Sequence, residues 1–398
     1  MHKKIIFTIF FGIVVVFLPL NAQTWVITKR LSYISQHVAE TPRPAIASVF
    51  NNIYVVWHSS HQGNYEIYLK KNEDGGASWM GRRLTYNSTW SDYPDIAVDS
   101  MSNIHVVWTD LTPSEIYYKK STDGGTTWST NRLTWTSGGS YKPAISIDSN
   151  DNIHVVWHDF SPNVVYPEIY YKKSTDGGKT WPLTKRLTWS SGDSAQPQLA
   201  FDSNNNIHVT WFDNASNPGS WNDFEVYYKK STDGGNNWTS SKRLTWATKQ
   251  FRNPNIAIDA SDNIHIVWYR SDTLEEVYYK KSDDNGSTWT GAKRLTWEDS
   301  SFYPSRYPDV VSDSNKNIYI IYQHQVPSFP PGSGANVEIF LRKSTDGGST
   351  WLSQKRITWR EDLSYYPKSV VDSGDSIHIV WTDDRSDNWE IYYKKGIQ

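Results

Sequence analysis

Cysteine is absent from the 398 residues of this sequence, so no disulfide bond stabilises the fold and the hydrophobic core must suffice. A charge excess is also lacking: 40 lysines and arginines face 42 aspartates and glutamates, which excludes the basic footprint of a nucleic-acid-binding protein. Beyond residue 22 no apolar run is long enough to cross a bilayer, and no convincing 3.6-residue hydrophobic period is found. We also predict no metal and no cofactor.

The first residues have the pattern of a targeting signal. A basic start, Met-His-Lys-Lys, precedes an apolar run over residues 5–20 and the small residue Ala22. This order is typical of a cleaved secretory signal, because the apolar core is short for a membrane helix. We therefore predict a signal peptide over residues 1–22 and a secreted, periplasmic or cell-surface protein, with an uncleaved anchor as the alternative. Residues 23–398 are predicted to form one domain.

One short box recurs six times along the chain, with a spacing of about 50 residues. It reads NEDGGASW at 72–79, STDGGTTW at 121–128, STDGGKTW at 174–181, STDGGNNW at 231–238, SDDNGSTW at 282–289 and STDGGSTW at 344–351. Self-similarity at such a period indicates repeated supersecondary units that pack on one another. The period equals the length of a four-stranded propeller blade.

A second motif, of the type NIHVVW, recurs seven times, at residues 52, 103, 152, 206, 263, 317 and 376. Each unit reads as four strands; in the second unit they are 94–98, 104–108, 115–120 and 132–135. The seventh unit ends before its box, whereas residues 28–33 match a fourth strand that lacks a unit of its own. The sequence therefore predicts an all-β, seven-bladed propeller whose last blade is completed by the N-terminal strand, which leaves no open edge.

The boxes resemble the Asp-box, or BNR repeat, of the sialidase superfamily. In that family the boxes lie away from the active face, so the resemblance implies a structural role for Asp74, Asp123, Asp176, Asp233, Asp284 and Asp346. A box aspartate can accept hydrogen bonds from turn amides, and the box tryptophan can pack at the blade margin. We expect the tryptophans that end the second and fourth strands to pack between blades as well.

Histidine also follows the repeat, because His105, His154, His208, His265 and His378 hold one strand position that Tyr54 and Tyr319 fill in the other two units. A metal ligand could not be exchanged for tyrosine, so we expect these histidines to be structural. The turns that precede them, such as 148–152 and 202–206, faintly resemble calcium loops. They lack a glutamate at the twelfth position, and hairpin turns remain the favoured interpretation.

Function is expected on the face that carries the second-to-third-strand loops and the blade-to-blade connections, here called the loop face, because these segments vary between repeats. Arginine forks suit carboxylate ligands, and tryptophan offers a flat apolar surface to a sugar. The candidate ligand-binding residues on this face are Arg43, Arg252, Arg270, Arg306, Arg385, Trp221 and Trp389. The repeated Asp110, Asp159, Asp213 and Asp383 are expected to form turns. The predicted partner is an extracellular glycan or protein.

The resemblance also implies an enzyme hypothesis. Sialidases of this superfamily use three arginines on the substrate carboxylate, a tyrosine nucleophile helped by a glutamate, and an aspartate as acid/base. Arg43, Arg252 and Arg306 could form such a triad, with Tyr365 or Tyr366 as nucleophile. The family's Arg-Ile-Pro motif is absent, however, and its catalytic domains have six blades. We therefore favour a non-catalytic propeller that binds a glycan or protein, with a sialidase-like glycoside hydrolase as the alternative.

Overall fold

Antiparallel β-strands form seven sheets in a ring, with the first strand of each sheet innermost. The computed structural model describes residues 24–33, 41–60, 63–75, 78–161, 165–218, 223–246, 250–271, 275–297, 303–327, 336–359, 363–385 and 388–397. The predicted signal peptide lies outside these ranges and stays a prediction. Over the described residues, no helix has the length and apolarity to cross a membrane.

The predicted seven-bladed propeller is confirmed. Blade 1 comprises β3 (Ala45–Val49), β4 (Asn52–Ser59), β5 (Glu66–Asn72) and β6 (Met80–Arg83). Blade 2 comprises β7 (Trp90–Val98), β8 (Ile104–Leu111), β9 (Glu115–Ser121) and β10 (Ser129–Arg132). Blade 3 comprises β11 (Ser140–Ile147), β12 (Ile153–Asp159), β13 (Glu168–Ser174) and β14 (Lys185–Arg186). Blade 4 comprises β15 (Ser194–Phe201), β16 (Ile207–Asp213), β17 (Glu225–Ser231) and β18 (Lys242–Arg243).

The remaining blades repeat this order. Blade 5 comprises β19 (Phe251–Ile258), β20 (Ile264–Arg270), β21 (Glu276–Ser282) and β22 (Lys293–Arg294). Blade 6 comprises β23 (Ser305–Ser312), β24 (Ile318–Val326), β25 (Asn336–Ser344) and β26 (Lys355–Arg356). Blade 7 comprises β27 (Ser364–Val371), β28 (Ile377–Asp383) and β29 (Glu390–Ile397), and its outer edge is formed by β1 (Thr24–Trp25) and β2 (Lys29–Arg30).

The N-terminal segment closes the ring, as predicted. Trp25 lies opposite Gly396, and Lys29 lies opposite Tyr393, both on β29. Arg30 and Ser32 then donate hydrogen bonds to the carboxylate of Glu390, whose side chain is fully buried. These hydrogen bonds therefore join the N-terminal segment to the last strand of the chain.

Hydrophobic packing lies mainly between neighbouring blades. The second strands are almost continuously buried, because their alternate side chains face the blade before and the blade after. One core cluster, for example, combines Val56 and Leu69 of blade 1 with Ile96 and Trp108 of blade 2. A further cluster joins Leu31 and Ile391 to residues of blade 1, so the junction between blades 7 and 1 is packed like the others.

Each box forms a tight turn around its aspartate. The Asp123 carboxylate accepts hydrogen bonds from the Thr127 amide at 2.8 Å and the Ser121 hydroxyl at 2.8 Å. The box tryptophan then packs on the preceding blade: the ring centres of Trp181 and Tyr118 are 5.0 Å apart, in an edge-to-face contact. A Cβ on Gly178 would lie 2.0 Å from the Tyr118 hydroxyl, so this contact requires glycine. The box aspartate is thus held by its own turn, and the structural role of the six box aspartates stays a prediction.

The repeated histidines are satisfied in buried triads, as predicted. His105 lies 2.7 Å from the Tyr118 hydroxyl and 3.2 Å from the Asp99 carboxylate. The same contacts occur around His154, His208, His265 and His378. The turn aspartate is also held by its own turn: Asp148 accepts hydrogen bonds from the amide and side chain of Asn152. Both of its carboxylate oxygens are thus used within the protein.

Seven buried glutamates, which the sequence reasoning did not single out, join the third and fourth strands. Glu115 accepts hydrogen bonds from Arg132 at 2.6 Å and from the Thr134 hydroxyl, and its equivalents are Glu66, Glu168, Glu225, Glu276, Glu338 and Glu390. The sequence carries one signal for these glutamates, because every unit has an E-I-Y, E-V-Y or E-I-F motif at the start of its third strand. Their burial is unusual, since glutamate is rarely buried without a partner.

The fourth strands differ from the prediction. In blade 2 the strand ends at Arg132, because this side chain turns toward Glu115, and the following Leu133 and Thr134 are buried beyond it. The next residue then faces solvent. Trp135, Trp189, Trp246, Trp297 and Trp359 are between 60 and 71% exposed, so the expectation that they pack between blades was wrong.

Candidate functional site

One residue per blade stands immediately before a proline, on the innermost strand or, for Arg43 alone among the described residues, two residues before that strand begins. These mouth residues are Arg43, Tyr93, Lys142, Gln196, Asn253, Tyr307 and Tyr366. All except Arg43 have φ between 49° and 52°, and each of these six coincides with a β-bulge. A bulge redirects a side chain, and backbone in this region is costly for residues other than glycine. Six strained positions in a ring mark a feature that the fold maintains at a cost.

A second ring, on the neighbouring second strands, supports the mouth residues. Each member of this ring follows the repeated aromatic residue of its second strand, and the ring contacts the mouth residues of the following blades. The Thr109 hydroxyl accepts a hydrogen bond from the Lys142 amide at 3.1 Å, and the Gln323 side chain accepts one from the Tyr366 amide at 3.1 Å. Tyr269 packs on Tyr307 with ring centres 5.5 Å apart. The mouth is therefore held by fixed polar and aromatic contacts.

Arg43 and Lys142 concentrate positive charge at the mouth. The Arg43 guanidinium lies 5.2 Å from the ring centre of Tyr93 and 4.3 Å from that of Tyr366, and the Lys142 ammonium lies 4.8 Å from the Tyr93 ring. Neither forms an ion pair with a carboxylate among the described residues. Burial opposes the charge of Arg43, but Tyr93, Tyr366, Tyr307 and Asp92 raise its pKa.

Lys142 responds differently. Burial, together with the charges of Arg43 and Arg252, lowers the pKa of Lys142 to about 8, although Asp92 opposes this. The Lys142 ammonium is thus charged at neutral pH, but the negative charge of Asp92 only partly balances it. An anion placed between Arg43 and Lys142 would restore the balance.

Two histidines from the second ring border this charged group. His58 Nδ1 lies 2.9 Å from Asp92, and although burial opposes ionisation, this histidine, the Tyr93 amide and Arg43 lower the pKa of Asp92. His158 stacks on Tyr141 with ring centres 5.9 Å apart. Burial and the Lys142 charge lower the pKa of His158 to about 3, so its imidazole is neutral near pH 7.

Between the mouth residues lies a cavity of about 110 Å³; Arg43, Gln196, Asn253, Tyr307 and Tyr366 line it, whereas Tyr93 and Lys142 do not. Water occupies about 30 Å³ per molecule in the liquid, so this space suits a charged substituent better than a whole sugar ring. Lys368, which pairs with Asp309 at 2.9 Å, also lines the cavity. We call the mouth residues and this cavity the axial cleft.

Of the three arginines considered as a carboxylate triad, only Arg43 lines the axial cleft. Arg252 and Arg306 lie one residue earlier in the repeat, before the bulge. Arg252 stacks over Phe224 at 4.9 Å, and Arg306 pairs with Glu275. Tyr366 lines the cleft, where it contacts Arg43 and Tyr307. In the sequence, only the distance of each arginine from its proline separates Arg43, which directly precedes a proline, from Arg252 and Arg306, which stand two residues before one.

The other candidate residues lie elsewhere on the loop face. Arg385 pairs with Asp383 and lies 4.1 Å over the Tyr392 ring, whereas Arg270 ends β20. Trp389 packs against Tyr365 with ring centres 5.4 Å apart. Trp221 lies outside the described residues. Asp159 and Asp213 hold the start of their own blade's first strand through Ser140 and Ser194, consistent with a structural part.

No protein-family model and no curated protein matches the sequence. Among solved structures, an ulvan lyase of polysaccharide lyase family PL25 has a TM-score of 0.64 at 14% identity, over 92% of this chain and 95% of that one. The polysaccharide lyase Uly1 has a TM-score of 0.60 at 9% identity, over 91% and 90% of the chains. An α-L-arabinofuranosidase from Fusarium graminearum has a TM-score of 0.54 at 15% identity, over 77% and 93%. At these identities the likeness shows the fold alone.

Proposed function

We propose that this protein is an extracellular propeller that binds an acidic glycan at the axial cleft, with Arg43 and Lys142 holding a carboxylate or sulfate group. The observation that carries the proposal is this pair of half-buried cations beside one tyrosine ring, without a carboxylate in ion-pair distance among the described residues. An arginine can grip an oxyanion with two parallel hydrogen bonds, and a lysine adds a point charge.

The surroundings of the two cations suit a sugar. Tyr307 and Tyr366 present partly buried rings to the cavity, and Tyr93 lies beside both cations. The polar Gln196 and Asn253 provide donors and acceptors for hydroxyl groups. Several structural neighbours are polysaccharide-acting enzymes, and one PL25 ulvan lyase was solved bound to -[GlcA(1-4)Rha3S]-. GlcA carries a carboxylate, and Rha3S carries a sulfate.

The sialidase-like alternative receives less support. It requires three arginines on one carboxylate, and only Arg43 lines the cleft. The described partners of the Tyr366 side chain are Arg43 and aromatic rings, whereas a tyrosine nucleophile of that type works with a glutamate.

Calorimetry with a tetragalacturonate tests the binding proposal. Because hydrogen bonds to charged groups contribute about 1.5–3 kcal/mol, Arg43→Met and Lys142→Met should each weaken binding by about tenfold or more. Lys179→Met, on an exposed box residue, is the matched control and should bind as the parent protein does. Unchanged affinity in the Arg43→Met/Lys142→Met double variant would refute the assignment.

A further inference from the structure

An exposed aromatic residue follows the outermost strand of every blade. These rim aromatics are Tyr33, Tyr86, Trp135, Trp189, Trp246, Trp297 and Trp359, and they are between 60 and 74% exposed. The residues that follow them differ in every unit, for instance TSGGS after Trp135 and SSGDS after Trp189. All seven units thus retain a large ring that the fold buries only slightly. Single exposed apolar residues are ordinary on protein surfaces, but the same exposure in all seven units is a repeated feature of this chain.

Cations flank the rim aromatics from two blades. An arginine of the same blade lies 4.6–6.0 Å from the ring centre in six cases, and it is neutralised by a buried glutamate, as in Arg132 with Glu115. A lysine or arginine of the next blade lies 5.2–5.8 Å from the ring in five cases.

The second cation is not neutralised in the same way. Lys172 and Lys280 donate to the backbone carbonyls of Leu133 and Leu244, at 2.7 and 2.6 Å, and neither has an ion pair with a described carboxylate. Both lysines are themselves buried, at 6 and 7% exposure, so each of these units combines a flat exposed ring with a nearby buried positive charge. This combination suits a sugar ring that carries an acidic substituent.

Two of the rim aromatics, Tyr33 and Trp246, border grooves where two blades meet. Beside Tyr33 a groove of about 290 Å³ is lined by Trp57, Tyr68 and Lys70 of blade 1. Beside Trp246 a groove of about 370 Å³ is lined by Trp268 and Lys280, among others, of blade 5. Their size reaches that of small-ligand sites. Each groove also has in its wall a buried polar atom that no described residue satisfies, Tyr68 Oη and Trp268 Nε1.

We infer that the outer rim is a second, repeated binding surface for acidic polysaccharide chains, separate from the axial cleft. Each unit stacks one sugar ring on its rim aromatic and places the carboxylate or sulfate near the lysine or arginine of the next blade. A single contact of this type is weak, but a chain that reaches several units gains affinity through effective concentration. The surface therefore favours polymers over short oligosaccharides.

Electrophoresis in native gels that contain polygalacturonate tests this inference, with neutral dextran as the comparison polymer. Polygalacturonate should retard the parent protein more than dextran does. The triple variant Trp135→Ala/Trp189→Ala/Trp246→Ala should lose at least threefold in retardation and keep its melting temperature, because the three side chains are mostly exposed. The matched control, Leu183→Ala/Leu352→Ala, removes exposed apolar residues between a box and its fourth strand and should be retarded like the parent.

The axial double variant Arg43→Met/Lys142→Met separates the two surfaces. It should lose affinity for tetragalacturonate in the calorimeter yet remain retarded by the polymer. Parent-like retardation of the folded triple variant would overturn the rim inference, as would complete loss of retardation in the axial double variant. Unchanged tetragalacturonate affinity in the double variant would instead overturn the axial proposal and leave the rim standing.

Discussion

Replacing Lys142 by methionine should make the protein more stable and its ligand binding weaker. The two side chains have similar length, so the methionine side chain can occupy the same half-buried space beside Tyr93 without a charge. The pKa of Lys142 is lowered from 10.5 to about 8, and each pKa unit corresponds to about 1.4 kcal/mol. The charged form therefore costs the folded state up to about 3 kcal/mol at neutral pH. With an unfolding entropy of about 2.1 cal/mol/K per residue, that is a rise of roughly 3–4 °C in melting temperature.

The dependence on pH identifies the cause. Between about pH 8 and 10.5 the folded protein has released the Lys142 proton while the unfolded chain still holds it, so the parent gains stability as pH rises through this window. The variant lacks this contribution. The difference in melting temperature should therefore be largest below pH 8 and disappear toward pH 10.5.

Differential scanning calorimetry of both proteins from pH 6 to 10.5, with Lys179→Met as the exposed control, measures this difference. Titration of the parent protein with tetragalacturonate over the same pH range measures ligand binding. Its affinity should fall as the pH rises above 8, because Lys142 then loses its charge. A variant that melts below the parent at pH 7, or a melting difference that is constant with pH, would refute the reasoning.

Three further predictions concern the scaffold. His105→Tyr should lower the free energy of unfolding, measured with urea, by about 1–3 kcal/mol, because the larger side chain overpacks against Tyr118. The double variant His105→Tyr/Tyr118→Leu, which copies the tyrosine and leucine that blades 1 and 6 have at these positions, should recover most of that loss. Deletion of residues 24–33 leaves Glu390 buried without its partners and should cost about 3–5 kcal/mol, and unchanged melting would contradict the described ring closure. Asp176→Ala should lower the melting temperature but leave glycan affinity unchanged; because turn hydrogen bonds hold the pKa of Asp176 far below its usual value, the parent should lose this advantage as pH falls below about 4.

The fold was largely readable from the sequence, because its repeat units are nearly identical and each one contains its own turns. The inequality of six boxes and seven NIHVVW-type motifs was enough to predict that the N-terminal segment completes blade 7. The sequence also shows that blade 6 has Tyr319 at the position where blade 2 has His105, but it does not show why. In the structure, blade 6 combines Tyr319 with Leu341, whereas His105 is paired with Tyr118, so each combination fills one space.

The candidate site was less accessible, for a local reason. Arginine is the signal in the sequence, and it groups Arg43, Arg252 and Arg306, although Arg43 lies one residue before its proline and the other two lie two residues before theirs. In blades 2–7 a bulge at the X-Pro step makes this difference of one residue decisive. Arg252 and Arg306 lie before the bulge and contact Phe224 and Glu275, whereas the residues within the bulge are mouth residues. Lys142 was missed on this account. The exposure of Trp135 was equally hidden, since nothing in R-L-T-W reveals that the strand ends at the arginine.

The pairing of β1 and β2 with β29 also has a consequence for how the protein reaches its native state. Contacts such as Trp25 with Gly396 join residues that are almost the whole chain apart, whereas most other strand pairs join near neighbours in sequence. Blades can thus form progressively, but the outer edge of β29 stays unpaired until the N-terminal segment arrives. During that interval it is a template for the strands of other molecules. Correct folding and self-association therefore compete at one edge of one blade, and the outcome depends on protein concentration.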